Sequence, residues 1–455
     1  MEDSQETVGE VIDRIPIGRF HWLLIGTIGS LWAAMAMTVL GISFTLPIFI
    51  DVWNLSGFTA GLLGSASLVG MIVGNTFGGR YADEIGRKQT MLVSITLFSV
   101  FTAATALATG FYSAAGFRLL TGIGLGASLV AGASYLTEYL PTDSRGRFIT
   151  FLEVFFSVGS LATVIVAWVV LSKLGGSGAF YGIAAWRVFF ALGILPLGLV
   201  LVIYYYLPKS PFFLAESGDV EGATDGLATV AEFNDAGLES MPNSLSVSET
   251  PNVGFSRLFD SDLRRTTLLM SGLWLAVNLA YYGIFTWLPT TVESAGYVAN
   301  LYRYLFVVAI FQLSGQLSAA YLIEVVGRKW TLGSFLLLGG ASTYLFASAI
   351  PNGAGGGGNE TLFKIGLYAM SFALFGAWAV LYAYTSEIFP TKVRSTGLGF
   401  TGSIGKVAAT AGPIIFGTLA EFGYLVALAP VAFALVAVGV LLLLFGRETK
   451  GEILV

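Results

Sequence analysis

The apolar positions of this chain fall into long runs, cut by short clusters of charge, glycine and proline. The runs occupy residues 21–48, 57–79, 89–109, 113–137, 147–172, 184–207, 264–289, 299–323, 330–350, 363–386, 395–419 and 425–446. A helix needs about 20 residues to cross a hydrocarbon core about 30 Å thick, and every run meets that length. Inside lipid the backbone finds no water to bond. Its N–H and C=O groups need internal partners, which runs of this length supply only as helices. The pattern predicts an all-α membrane protein with twelve transmembrane helices.

The polar stretches set the domain organisation. Residues 1–20 form an N-terminal segment, 21–207 a first six-helix bundle, 208–263 a linker, 264–446 a second six-helix bundle and 447–455 a tail. The linker predicts a short surface helix at 218–233 and loose chain through 234–254, and the glycine-rich stretch from Pro351 to Glu360 reads as a short loop. An internal repeat relates the two bundles. Glu138, Pro141, Thr142 and Arg145 recur with identical spacing as Glu387, Pro390, Thr391 and Arg394. Asp83, Gly86, Arg87 and Lys88 recur as Glu324, Gly327, Arg328 and Lys329. Both strings follow even-numbered helices on one membrane face. Two six-helix halves of like orientation are the architecture of parallel-repeat transporters.

Composition agrees. Of 455 residues, 55% are hydrophobic and 11% charged, against about 25% charged in a soluble domain, so no soluble catalytic domain fits and the chain does not read as an enzyme. The net charge of -5 says little, because charge in a membrane protein is read by side. Lys and Arg crowd the loops on the side of the termini, including Arg14, Arg19, Arg80, Lys88 and Arg447. The opposite loops hold only Lys173, Arg187, Arg303 and Lys364. Both termini are therefore expected in the cytoplasm, in a multi-pass protein of the cell (plasma) membrane. The polar, acidic start from Met1 to Arg19 does not read as a cleavable signal peptide. There is no cysteine, which excludes disulfides. No metal constellation, nucleotide loop or nucleophile–base set is recognisable, so neither metal nor cofactor is expected. The partners expected are a small-molecule substrate, a proton and the lipid bilayer, with no nucleic acid, for a chain working as a monomer.

The stretch from Gly79 to Lys88 resembles the signature loop between helices two and three of the major facilitator superfamily, and Arg118 through Gly126 resembles its helix-four pattern. Residues 207–214 and Glu448 to Gly451 resemble the sugar-porter branch. The helix-seven stretch around Tyr281 and Tyr282, and the helix-ten stretch around Glu387, resemble the metabolite:proton and organic anion/cation transporters. The match covers nearly the whole chain, and it implies the two-bundle major facilitator fold and transport by alternating access. The chain departs from the pattern at Glu84, Ala320 and Arg447. It also lacks the helix-one Asp often tied to proton coupling, since helix one reads Trp32, Ala33, Ala34, Met35, Ala36. Counted from the shared Arg, Glu153 stands where sugar porters carry a sugar-contacting Gln, and Lys406 where organic-anion transporters carry an Arg. Ser271 and Gly272 replace the sugar-porter Gln pair, and Tyr382 a Trp. The resemblance thus implies an organic acid rather than a hexose.

Ionisable residues inside spans carry the most weight, since each costs about 3 kcal/mol at a helix centre. Glu153 lies about 12 Å along helix five from Arg145, and Lys406 about 18 Å along helix eleven from Arg394, at about 1.5 Å per residue. Opposite charges at similar depth on counterpart helices suit a carboxylate-binding site with Glu153 as the proton carrier. A purely structural ion pair is the other reading. Arg118 sits in the outer part of helix four. Aromatic and amide side chains that would complete the site are Trp32, Trp274, Asn278, Tyr281, Tyr282, Gln312, Trp378 and Tyr382, with Gln316 beside them. Trp287 and Tyr297 read as membrane-interface anchors and His21 as an interface residue. Charged residues repeated at the inner face, Asp83, Arg87, Glu138 and Arg145 with Glu324, Arg328, Glu387 and Arg394, can bridge the bundles as an inner gate. The glycines after Arg118 read as close packing rather than a phosphate cradle.

The function expected is a secondary active transporter of a small organic anion, aromatic or sugar-acid-like, coupled to protons. A uniporter of a neutral sugar or organic cation stays open, as does a non-transporting sensor on a transporter fold, whose usual mark is an added cytoplasmic domain.

Overall fold

The computed structural model describes residues 6–174, 179–180, 182–236, 245–246, 255–350, 359–390 and 393–451. Among them, twelve helices are long and apolar enough to cross a membrane. The spans, numbered one to twelve, are Arg19–Trp53, Gly57–Ile85, Arg87–Leu107, Phe111–Thr137, Phe151–Ser172, Ala185–Tyr206, Arg264–Ser294, Val298–Val325, Arg328–Ser348, Glu360–Ile388, Arg394–Ala420 and Tyr424–Phe445. Most lie within a few residues of the runs read from sequence. Span six is interrupted. Its helix Ala185–Ala191 tightens through Leu192–Ile194 and resumes at Leu197, because Pro196 has no N–H to continue the ladder.

Two six-helix bundles result. Spans two and four share the most extensive packing of the first, and spans seven and eleven of the second. The glycines of span four permit this closeness: a Cβ on Gly122 would stand 2.0 Å from the Ser67 carbonyl oxygen, and one on Gly126 2.3 Å from that of Met71. Close packing is thus their role, as expected. Gly86 and Gly327 turn the chain between spans two and three and between spans eight and nine, with φ of +93° and +105°. The repeat read from sequence is a repeat of backbone geometry too.

The bundles touch through spans two and eleven, one and seven, and five and eight. Ser65 donates to the Thr410 carbonyl at 2.7 Å, and the Gly57 N–H to Glu421 at 2.7 Å. A Cβ on Gly417 would meet the Gly57 carbonyl oxygen at 2.3 Å. Trp287 lies in this seam with its indole N–H donating to the Pro413 carbonyl at 2.9 Å. It is buried between helices, not an interface anchor. These contacts seal the face of the bundle opposite the termini. On the terminal face, the described ion pairs each stay within one bundle or its flanking segment.

The terminal segments are also more ordered than their polarity suggests. Val8–Arg14 is a helix capped by Thr7 and Glu10, with Val8, Val11, Ile12 and Ile15 buried. Glu6–Thr7 pairs in parallel with Leu245–Ser246 of the linker, and Asp13 accepts from the Thr142 N–H and hydroxyl. The linker holds helices Pro211–Glu216 and Val220–Phe233, the second close to the expected 218–233. His21 is fully buried. Its ring bonds the Tyr139 carbonyl, the Gly18 N–H and the Asn234 amide, so it joins helix one to the linker rather than lying at a membrane surface. The loop from Pro351 to Gly358 and most of 234–254 fall outside the described residues.

Candidate functional site

Near mid-depth, eight spans meet around a cavity of about 60 Å³. Span one contributes Trp32, Met35 and Val39, span five Glu153 and Phe156, span seven Tyr281 and Tyr282. Span eight contributes Gln316, span ten Phe375, Trp378 and Tyr382, and span eleven Lys406, with Met71 and Leu129 closing one wall. The two ionisable groups therefore come from counterpart spans of the two halves and line one space. Each acts electrostatically on the other. Among the described residues, however, no ion pair within 4.0 Å joins them. The purely structural ion pair is not what the geometry shows. Trp32, Tyr281, Tyr282 and Tyr382 line the same space as the Glu153 carboxylate.

The remaining walls are aromatic. Trp378 stands 5.0 Å from the ring centre of Tyr281, 6.2 Å from Tyr282 and 6.0 Å from Tyr382. Such spacings favour tilted and edge-on contacts, and leave ring faces to stack on a planar guest. Gln316 is fixed by the Ser157 hydroxyl, which donates to its carbonyl oxygen across the two halves.

Four expected site residues do not line this space. Trp274 is buried with its indole N–H donating to the Thr385 hydroxyl at 3.0 Å. Asn278 donates to the Trp274 carbonyl at 2.8 Å, packed against Gly405 where spans seven and eleven cross. Gln312 is buried one turn from Gln316, away from the cavity. Arg118 is fully buried within the first half, donating to the Thr38 carbonyl at 2.8 Å and the Ser67 hydroxyl at 3.1 Å. Helix periodicity turns each of these side chains into a helix seam. The same periodicity marks what was missed: Met35 and Val39 follow Trp32 by three and seven residues, Phe156 follows Glu153 by three, and Phe375 precedes Trp378 by three. A larger apolar groove of about 470 Å³ lies between spans one, three, five and six, and neither charged group borders it.

The repeated charges of the terminal face form two matching clusters. Arg87 contacts Glu138 at 2.7 Å, Asp83 at 3.1 Å and Glu216 at 3.9 Å. Arg328 contacts Glu387 at 2.9 Å and Glu324 at 3.2 Å. The Ser210 hydroxyl donates to Glu138 in the first half, and Thr449 to Glu387 at 2.6 Å in the second. Tyr135 donates to the Pro208 carbonyl at 2.6 Å, and Tyr384 to that of Arg447 at 2.7 Å. Glu448 completes the second cluster, accepting from the Arg328 and Lys329 N–H groups at the start of span nine, where a carboxylate suits the helix dipole. Burial pushes the Glu138 carboxyl up, opposed by the Arg87 guanidinium and the Ser210 hydroxyl. Arg145 donates to the Leu140 carbonyl at 3.0 Å, closing its own loop, and Arg394 opens span eleven. Among the described residues, the Arg87 and Arg328 pairs thus lie within each bundle rather than between bundles. The reason is positional. Each hub arginine is the first residue of a span whose neighbour in the same half ends in the carboxylate.

A fold of two parallel six-helix repeats, sealed on one face around a buried polar cavity, is that of a solute transporter. The chain belongs to the family described as sugar (and other) transporter, which matches residues 52–455, within the major facilitator superfamily. It is 31% identical over 450 residues to the niacin transporter NiaP of Acinetobacter baylyi, covering 97% of this chain and 98% of that protein. It is 28% identical to the gallate transporter of Pseudomonas putida, covering 92% and 90%. The xylose transporter XylE of E. coli, in a partially occluded inward-open conformation, superposes with a TM-score of 0.73 at 19% identity, covering 98% of this chain and 100% of that one.

Proposed function

We propose that this transporter moves a small single-ring organic acid, aromatic or sugar-acid-like, by alternating access, together with a proton. One observation carries the reading: Glu153 and Lys406 face the same aromatic-walled cavity from counterpart spans without an ion pair within 4.0 Å. Lys406 is the receptor for the substrate carboxylate, and Glu153 the proton carrier. Niacin and gallate, the cargoes for which two relatives are named, are both single aromatic rings bearing a carboxyl group. The crowding of Lys and Arg on the terminal face supports a cytoplasmic position for both termini, in the plasma membrane. On that reading the sealed face is external and the structure faces inward. The terminal-face clusters hold each half as one body while the halves rock.

Coupling follows from charge balance. With the cavity empty, the Glu153 carboxylate and Lys406 ammonium cancel. With an anionic substrate and a protonated Glu153, they cancel again. Substrate without the proton leaves one uncompensated negative charge, and closing a membrane-depth cavity around it is costly. Sealing is therefore favoured for the empty state and for the substrate-plus-proton state.

The test uses two variants. Lys406→Ala weakens binding of acids far more than of their amides. Glu153→Gln imitates the protonated form, keeps binding and counterflow, and loses accumulation driven by a pH gradient. Accumulation by Glu153→Gln under an imposed gradient would exclude the coupling role, and unchanged acid affinity in Lys406→Ala would exclude the anion site. A proton-independent uniporter of a neutral sugar or organic cation is the second reading, favoured by the stretch from Trp32 to Ala36 in span one, which lacks a coupling carboxylate. Wild-type uptake indifferent to the pH gradient would select it.

A further inference from the structure

The deeply buried tyrosines of this protein divide into two kinds. The hydroxyls of Tyr135, Tyr139 and Tyr384 each donate to a backbone carbonyl, and that of Tyr304 to Glu360. Among the described residues, Tyr281 is the one tyrosine whose hydroxyl is buried with no hydrogen-bond partner. It is only 4% exposed and lines the central cavity together with Glu153. Its ring is held on four sides, by Tyr282 at 4.8 Å, Trp378 at 5.0 Å, and Phe285 and Phe375 at 5.2 Å each. The clamp leaves the ring little freedom to turn its hydroxyl elsewhere. Phenylalanine would fill the same clamp and avoid burying an unsatisfied hydroxyl, which is an unfavourable arrangement.

We propose that the Tyr281 hydroxyl is a specificity-determining donor, which selects ring acids carrying a hydrogen-bond acceptor in addition to the carboxylate, a pyridine nitrogen above all. The inference rests on the organic-acid reading: with the carboxylate at Lys406, the far edge of a single ring is presented to the aromatic wall. The cavity of about 60 Å³ lies well below the ~300 Å³ at which drug-sized pockets begin, so it admits at most a single-ring solute, whose isomers one well-placed donor can sort. A site with a fixed donor penalises the analogue lacking the acceptor, because the donor is then left buried and unpaired. Benzoate and the three pyridine carboxylates differ in little besides that atom.

The experiment is calorimetric titration of the purified full-length protein with benzoate and with pyridine-2-, pyridine-3- and pyridine-4-carboxylate. Wild type is expected to bind one pyridine isomer on the order of tenfold more tightly than benzoate. In Tyr281→Phe that preference collapses towards unity, chiefly through lost affinity for the preferred pyridine acid. Equal binding of all four acids by wild type overturns the inference without the need for a variant. A preference kept in Tyr281→Phe overturns it as well. If wild type binds none of the four, the inference falls together with the organic-acid reading. If it binds all four alike and Lys406→Ala weakens all four, only the inference about Tyr281 falls.

Discussion

The terminal face and the central cavity treat the internal repeat in opposite ways. At the terminal face, Arg87, Glu138, Ser210 and Tyr135 of the first half are matched by Arg328, Glu387, Thr449 and Tyr384 of the second, bond for bond. In the cavity, counterpart spans five and eleven present opposite charges, Glu153 and Lys406, and the aromatic wall comes mainly from spans seven and ten. Scaffolding that must do the same task twice keeps the symmetry. On the proposed function, recognition of one asymmetric solute abandons it, since a carboxylate at one end of a ring needs a cation at one end of the site.

The largest effect expected is in the asymmetric region. Lys406→Gln leaves Glu153 uncompensated at membrane depth, at a cost of about 3 kcal/mol while its carboxylate stays ionised, visible as a drop in thermal stability in detergent that shrinks at acidic pH. The double variant Glu153→Gln with Lys406→Gln should recover that stability without recovering acid binding. A double variant no more stable than Lys406→Gln shows that the charges do not balance one another.

The seam between the halves comes next. A side chain at Gly417 meets backbone at 2.3 Å, so Gly417→Leu holds the sealed face apart. Uptake should fall at least tenfold while binding of acids survives, because the cavity lies well below this contact. Equal loss of both would place the effect in folding rather than in closure.

The symmetric region should give smaller and matching effects. Arg87→Gln and Arg328→Gln each leave a buried carboxylate short of its partner, and each should lower stability by about 1–3 kcal/mol. The clusters share no residue, so the two losses should add within about 0.5 kcal/mol in the double variant. Strong coupling between them would mean that the clusters communicate across the halves. Smallest are Tyr135→Phe and Tyr384→Phe, each removing one hydrogen bond worth about 0.5–1.5 kcal/mol. Unequal losses from this pair would sharpen where the symmetry ends.

Much of this architecture was legible in the residue order, because lipid imposes a length and a composition on any helix that crosses it. The apolar runs located the spans, the two recurring strings located the repeat, and the rarity of charge at membrane depth singled out Glu153 and Lys406. Partner choice was not legible. Arg87 and Glu138 are far apart in sequence, and nothing in their identities says whether an arginine meets a carboxylate of its own half or of the other. Only helix packing brings the start of span three beside the end of span four. Trp274, Asn278 and Arg118 have the composition of site residues, yet a few tens of degrees of helix rotation turn them into seams. Trp287, suited to a membrane interface, is drawn inward by the Pro413 carbonyl. The polar N-terminal segment looks unstructured by itself, and its four buried aliphatic side chains acquire a core only when the linker and the loop after span four arrive. Periodicity and hydrophobicity are local properties, and the sequence carried them by itself. Which charge meets which, and which way a buried ring points, depends on neighbours that only the assembled helices supply.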